Sequence, residues 1–295
     1  MDLFEPLLLA LQTHFVFLLI ATLLLGLCVG SFLNVLAYRL PLRIEQDFRK
    51  ATFESFGVPA GADQEPPVSL LRPASHCPAC KTPIKPWHNL PVLGWLLLRG
   101  RCAACKAPIS VQYPIVEAVT GALSMVCVWR FGYSPELLGA LVLTWALVAL
   151  TVTDLKTMFL PDDLTLPLLW LGLLVSLAGV FVGPVAAIVG AAAGYGVLWS
   201  VFQLFKLVTG KEGMGYGDFK LMGALGAWLG WQALPQIIIL SALVGAAVGL
   251  ALMVARRAEW STRIPFGPYI AGAGWLALIW GADINRWYTQ LTGMQ

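Results

Sequence analysis

The sequence predicts an all-α polytopic membrane protein of about eight transmembrane helices, interrupted by one long polar loop. Three observations carry this. Of the 295 residues, 58% are hydrophobic and only 12% charged, where a soluble domain runs at about 25% charged, and the mean hydropathy is +0.77. The apolar residues gather in runs close to the ~20 residues that cross a bilayer. The basic residues gather between those runs rather than inside them.

Taken in order, the chain opens MDLFEPLLLALQTHF. Asp2 and Glu5 stand where a secretory signal carries positive charge, and no small-residue cleavage site follows. The first apolar run, Phe15 to about Ala37, is therefore expected to stay as a membrane helix. Residues 1–37 make the first of three expected regions. Residues 38–111 turn polar, with Arg, Lys, Pro, Cys and Trp, and make the second, a loop domain. Residues 112–295 make the third, a seven-helix core with apolar segments at about 112–130, 136–153, 164–180, 185–207, 218–231, 235–255 and 267–283. The 218–231 segment is short, and is expected to tilt or to end in the interface. No internal repeat or low-complexity tract is present.

Lysines and arginines favour the cytosolic side. Residues 38–111 hold Arg39, Arg43, Arg49, Lys50, Arg72, Lys81, Lys85, Arg99, Arg101 and Lys106, ten of the nineteen basic residues. Every second connection after it holds Lys156, then Lys206, Lys211 and Lys220, then Arg256, Arg257 and Arg263. The opposite connections hold Arg130 and Arg286. The loop and the connections 154–163 and 208–219 are thus expected on one cytosolic face, with both termini outside. A polybasic tail and aromatic–basic interleaving are absent, so nothing supports a nucleic-acid partner and none is expected.

Two acids fall at that face. Asp154 stands where "ALVALTVTDLKTMFLPDDLT" stops being apolar, and Asp218 lies inside "GMGYGDFK". Pro161 suits the turn before the next helix, and Asp163 is placed as its N-cap. Glycines 213, 215 and 217 allow positive φ and a close approach of backbone, so that a peptide strand can lie beside Asp218. An acid near hydrocarbon costs about 2.5–3.5 kcal/mol at mid-membrane and less near an end, where it reaches water. Two neighbouring carboxyls share a proton, because both cannot ionise cheaply. One then activates water while the other protonates the leaving group or carbonyl. That pattern points to peptide hydrolysis without a metal or covalent intermediate. The bland reading makes each acid a helix cap or the partner of Lys156 or Lys220, each two residues away.

Cys77-Pro-Ala-Cys80 and Cys102-Ala-Ala-Cys105 repeat C-x-x-C-K-x-P-I with twenty-one residues between the pairs. This is a tetrathiolate zinc pattern, and four thiolates leave no open position, so the metal is structural. Two disulfides are the alternative, which a reducing cytosol disfavours. His76 adjoins Cys77 as a rival ligand, while His14 and His88 read as interfacial. Cys28 and Cys127 read as packing residues. Residues 85–100, KPWHNLPVLGWLLLRG, are rich in Trp and Leu and either lie on the membrane surface or pack around the metal.

"DLKTMFLPD" followed by "GMGYGDFKL", together with "GSFLNVLAYRLP" (30–41), "CPAC…CAAC" and "PFGPYIAGAGW" (265–275), resembles the type IV prepilin peptidases, membrane aspartic proteases of the G-x-G-D kind. The resemblance runs from about residue 26 to 280 and shows no departure at the motif positions. It implies Asp154 and Asp218 as the catalytic pair, with Gly215 and Gly217 shaping the site. It implies a multi-pass protein of the bacterial inner membrane that cuts the short basic leader from type IV prepilins and type II secretion pseudopilins. It also implies methylation of the new N-terminus with S-adenosylmethionine, and membrane lipid as a partner. The residues that hold the methyl donor stay unassigned; Glu117, near the start of the second segment, either meets an amine or sulfonium cation or pairs with a nearby Arg or Lys. A transporter using the two acids as an ion site would place them near midplane on broken helices, and leaves the cysteines unexplained. A non-catalytic assembly factor would work without Asp154.

Overall fold

The computed structural model describes residues 4–56, 68–70, 75–255 and 264–292. Asp2, Arg72, Arg256, Arg257 and Arg263 lie outside the described residues. All eight expected segments are helical. In chain order the helices are α1 (Phe4–Thr13), α2 (Phe15–Ser55), α3 (Leu93–Leu97), α4 (Gln112–Phe131), α5 (Pro135–Thr157), α6 (Asp162–Leu177), α7 (Pro184–Thr209), α8 (Tyr216–Leu229), α9 (Leu234–Val254) and α10 (Gly267–Thr292). Among the described residues there is no strand, only two isolated bridges.

Local chemistry sets the helix ends. Proline occupies the first turn of α5, α7 and α9, where its missing N–H costs nothing. Ser134 Oγ caps α5 by accepting the Leu137 amide at 3.2 Å. Helix α7 stops on Gly210 at φ 69°, whose amide donates to the Lys206 carbonyl at 2.9 Å, a left-handed cap that suits glycine. Two local expectations are corrected. Asp163 is not the cap: α6 begins at Asp162, two residues earlier than that cap implies, with Pro161 at the cap position and no side-chain cap bond. Helix α2 does not end near residue 37 but runs on through Pro41 to Ser55. The i,i+4 pairs Arg43–Asp47 and Glu45–Arg49 support that polar extension. The polarity that ends the membrane span does not end the helix.

Among the described residues, five helices are long and apolar enough to cross a membrane: α2, α4, α5, α7 and the α9 stretch. Their outward surface is greasy. Val185, Leu207, Val208 and Val254 are each more than 70% exposed, the reverse of a soluble bundle and the signature of a lipid-facing one. Helices α6 and α8 have only 16 and 14 residues, about 24 and 21 Å at 1.5 Å per residue, less than the ~30 Å hydrocarbon layer. Helix α10 is long enough, but its Gly, Pro and Trp make it less apolar.

The chain forms two units, residues 1–128 and 129–295. In the first, α2 and α4 touch through small residues: a Cβ on Gly26 would meet Ser124 Oγ at 2.6 Å, and one on Gly30 the Glu117 Cα at 2.8 Å. Close approach of this kind is how membrane helices pack without a hydrophobic drive. Asn34 Nδ2 ties the pair by donating to the Tyr113 carbonyl at 3.2 Å. Cys127 is a packing residue here, fully buried, whereas Cys28 is exposed on the helix surface.

In the second unit α8 is the centre. Phe219, Leu221, Met222, Ala224, Leu225 and Ala227 are wholly buried. Gly190 and Gly194 of α7 press their backbone on Gly226 and on Met222–Gly223 of α8, leaving no room for side chains. Trp228 Nε1 donates to the Leu168 carbonyl of α6 at 2.8 Å and fills the space over Gly172. Trp275 Nε1 of α10 donates to Thr144 Oγ1 of α5 at 3.1 Å. A helix clothed on all sides by other helices need not match the bilayer thickness, which accounts for the short α8.

Candidate active site and metal centre

Asp154 lies in the last turn of α5 and is 4% exposed; Asp218 lies in the first turn of α8 and is 7% exposed. Both belong to the second unit. Asp154 Oδ2 accepts the backbone amide of Gly267, the first residue of α10, at 2.9 Å. Asp218 Oδ2 accepts the amide of Gly215 at 3.2 Å, while the Asp218 amide donates to the Gly215 carbonyl at 3.2 Å. Each carboxylate therefore sits at a helix N-terminus, where amide hydrogens lack helical partners and the dipole favours an anion.

Leu160 packs against both Gly217 and Gly267. It is 4% exposed. A Cβ on Gly217 would stand 2.6 Å from Leu160 Cβ, and one on Gly267 would stand 2.6 Å from Asp154 Oδ2 and 3.1 Å from Leu160 Cδ1. The two carboxyls lie within electrostatic reach of each other. The chain turns between them at Met158, which takes a left-handed conformation at φ 53° and donates its amide to the Asp154 carbonyl at 2.8 Å. On the other side Phe219 packs edge-on against Tyr216 and Tyr195, which fixes the start of α8.

The glycines act differently from the expectation of positive φ. Gly215 has φ −85°, and neither Gly213 nor Gly217 is among the left-handed glycines. What Gly213 and Gly217 supply is absence of a side chain: Phe205 lies 2.9 Å from a Cβ on Gly213, as Leu160 does from one on Gly217 at 2.6 Å. A Cβ on Gly215 would meet only Asp218 Oδ2, at an ordinary 3.6 Å.

Lys220 is not the partner of Asp218. Its Nζ reaches 2.6 and 2.7 Å to the two oxygens of Asp162 on α6. Residues two apart on a helix face different ways, so the lysine points across to α6 and the aspartate into the bundle. Sequence patterns alone do not single out Gly267, Leu160 or Asp162. Gly267 stands inside the PFGPYIAGAGW stretch, which is the one signal for it.

The four loop cysteines come together in the first unit, their sulfurs all within 4.8 Å of one another. Cys77 Sγ lies 3.8 Å from Cys105 Sγ, and Cys80 Sγ lies 4.0 Å from Cys102 Sγ. A tetrahedral zinc with Zn–S of about 2.3 Å sets sulfurs about 3.8 Å apart, so the cage fits such an ion. The two halves are the same knuckle twice. The Cys77 amide donates to the Thr82 carbonyl at 3.0 Å and the Cys102 amide to Ala107 at 2.8 Å. Lys81 and Lys106 each take the left-handed turn, at φ 59° and 61°. The Thr82 hydroxyl and amide pull the Cys80 thiol down to about 6. The amides of Cys105 and Ala104 hold Cys102 low as well. The Ala107 amide pulls Cys105 down, but its thiol neighbours push it up to about 11. Four crowded thiols cannot all ionise alone, and a divalent cation removes that conflict.

Glu117 pairs with no lysine or arginine among the described residues. It is 7% exposed, and its Oε2 accepts the Val92 amide at 2.6 Å, with the Ser31 hydroxyl as a second partner. One carboxylate oxygen is thereby committed to the loop backbone.

The chain matches the type IV leader peptidase family over residues 141–250 and the bacterial peptidase A24 N-terminal domain over residues 24–131. A prepilin leader peptidase/N-methyltransferase of Aeromonas hydrophila is 55% identical over 267 residues, 90% of this chain and 91% of that one. The protein of the same name from Pseudomonas aeruginosa is 49% identical over 98% of this chain and all of its own, and that from Neisseria gonorrhoeae 44% identical over 90% and 93%. No solved structure matches.

Proposed function

The chain belongs to the type IV leader peptidase family, and from that premise we propose that it is a membrane aspartic endopeptidase with Asp154 and Asp218 as its catalytic pair. It removes the short basic leader from type IV prepilins, and from type II secretion pseudopilins, and methylates the residue left at the new N-terminus. The observation that carries the catalytic assignment is two buried carboxylates within electrostatic reach of each other, each held by one backbone amide. Functionally, residues 1–37 serve as the first membrane segment, 38–111 as the metal-binding loop and 112–295 as the peptidase core.

The chemistry follows from one shared proton. The ionised carboxyl takes a proton from water as the water oxygen attacks the scissile carbonyl carbon, and the protonated carboxyl donates to the carbonyl oxygen. The tetrahedral species then collapses, the C–N bond breaks, and the leaving nitrogen takes up a proton. Acid–base assistance of this kind contributes about 10²–10⁴-fold. The basic connections around 154–163 and 208–219 favour the cytosolic face of the inner membrane as the place of cleavage, where water and a basic leader are both at hand, while lipid surrounds the outward apolar side chains. Cys77, Cys80, Cys102 and Cys105 hold a structural zinc. S-adenosylmethionine supplies the methyl group when bound, and no residue is assigned to hold it.

The test is cleavage of a purified prepilin in detergent by wild type, Asp154→Asn and Asp218→Asn, with folding and zinc content checked. Loss of at least 10²-fold in both variants is expected. Near wild-type cleavage by either would falsify the two-carboxylate mechanism.

A further inference from the structure

The metal loop carries an apolar face that neither the active site nor the zinc knuckles use. On the 3-10 turn Pro86–Asn89 and on α3, Trp87, Leu90, Leu93, Leu96 and Leu97 are 57, 49, 58, 55 and 72% exposed. Leu93, Leu96 and Leu97 stand at i, i+3 and i+4, one face of the helix. Their exposure is not looseness, because the opposite face is taken. Gly94 is buried against the His88 carbonyl, and Trp95 Nε1 donates to the Ile109 carbonyl at 3.1 Å while its ring lies over Gly100.

This part of the loop carries only basic charges of its own. Residues 75–111 contain Lys81, Lys85, Arg99, Arg101 and Lys106 and no Asp or Glu, and all five cations are exposed. Lys85 Nζ sits 5.4 Å from the Trp87 ring centre. The face is also held at a fixed level. Val92 occupies a tight turn at φ 60°, with the Leu93 amide donating to the Pro91 carbonyl at 2.6 Å. A β-branched residue at positive φ is strained and needs a partner to hold it there. The partner is Glu117, whose Oε2 takes the Val92 amide at 2.6 Å. Glu117 lies in the second turn of α4, so the leucines stand beside the point where α4 becomes apolar.

We propose that the segment 86–97 is an interfacial anchor that seats the metal loop on the membrane, its leucines and Trp87 in the acyl boundary and its lysines and arginines on anionic headgroups. Large apolar side chains bordered by cations are what an interface selects. A second copy of the same basic surface would be repelled. The inference does not depend on the peptidase assignment.

The full chain is placed in nanodiscs containing phosphatidylglycerol brominated high on the acyl chains, and the Trp87 emission is taken as wild type minus Trp87→Phe, with zinc content equal in both. The anchor requires that this difference signal be quenched by at least half, and that Lys85→Glu with Arg99→Glu cut the quenching severalfold. A Trp87 signal open to acrylamide but not to bromolipid would place the face in water and overturn the proposal. A signal shielded from both would place the face under protein and overturn the proposal equally. Quenching that is equal in zwitterionic discs, or unmoved by the charge reversals, would overturn the headgroup half of the claim.

Discussion

The amide of Gly267 donates to Asp154 Oδ2 at 2.9 Å, so α10 starts on the carboxylate that ends α5. Asp218 does within one helix what Asp154 does between two, since it sits in the first turn of α8 and takes the Gly215 amide. The far end of α10 is tied as well, by Asp283 to Arg130 in the last turn of α4 at 3.3 Å. A carboxylate held between the end of one helix and the start of the next is fixed in place, which is what a reacting acid requires.

Gly267→Ala tests that placement. The added Cβ would fall 2.6 Å from Asp154 Oδ2 and 3.1 Å from Leu160 Cδ1, so the carboxylate must move off the amide. A hydrogen bond to a charged group contributes about 1.5–3 kcal/mol, and kcat/KM for prepilin cleavage should fall on the order of 10–100-fold. Zinc content should not change. Undiminished kcat/KM would show that Asp154 is positioned by something else.

The two glycines of the second motif should fail in different ways. Gly217→Ala puts a methyl 2.6 Å from Leu160 Cβ and should lower the melting temperature as well as activity, with Leu160→Ala relieving part of both defects. Gly215→Ala has room in the folded chain, its Cβ only 3.6 Å from Asp218 Oδ2, but fills space beside the carboxylate. It should keep the melting temperature and lose cleavage. Thermal scans alongside kinetics separate the two, and identical behaviour would contradict the assignment of distinct roles.

Zinc removal should act on the knuckles. Cys80→Ser or Cys102→Ser, or a strong chelator, should reduce bound zinc from about one per chain to none, because one missing thiolate opens the tetrahedral cage. Added protease should then cut within residues 75–111, where few apolar contacts remain to hold two short turns. Retained protection in a zinc-free protein would show that the loop folds without the metal.

What could be read from the sequence follows the range of each interaction. The helices are legible because apolar runs and terminal prolines are local, and the knuckles because C-x-x-C-K-x-P-I occurs twice. Asp154 and Asp218 are legible as residues, but their environment is not. Gly267 is 113 positions from Asp154, and no local pattern announces an amide donor at that distance. Glycines suggested unusual φ, yet Gly217 is needed for its missing Cβ against Leu160. Proximity in sequence paired Lys220 with Asp218, whereas helical geometry sends it to Asp162, 58 residues away. The polar composition after residue 37 suggested an end to α2, because composition reports the solvent and not the backbone.

The Asp162–Lys220 pair makes the last prediction, one of charge near the acids. Lys220 Nζ holds both oxygens of Asp162 at 2.6 and 2.7 Å, with the lysine side chain 25% and the aspartate 51% exposed. A pair this open to water adds at most about 1 kcal/mol of stability, so its weight is electrostatic. Lys220→Met leaves the Asp162 anion uncompensated two residues from Leu160, and an extra negative charge favours the protonated forms of nearby acids. The bell-shaped pH profile of kcat/KM, which reports the acid pair as a unit, should therefore move to higher pH. Adding Asp162→Asn to Lys220→Met removes the stray charge and should bring the profile back. A purely structural role for the pair would lower activity without moving the profile, and the second substitution would then worsen the loss rather than correct it.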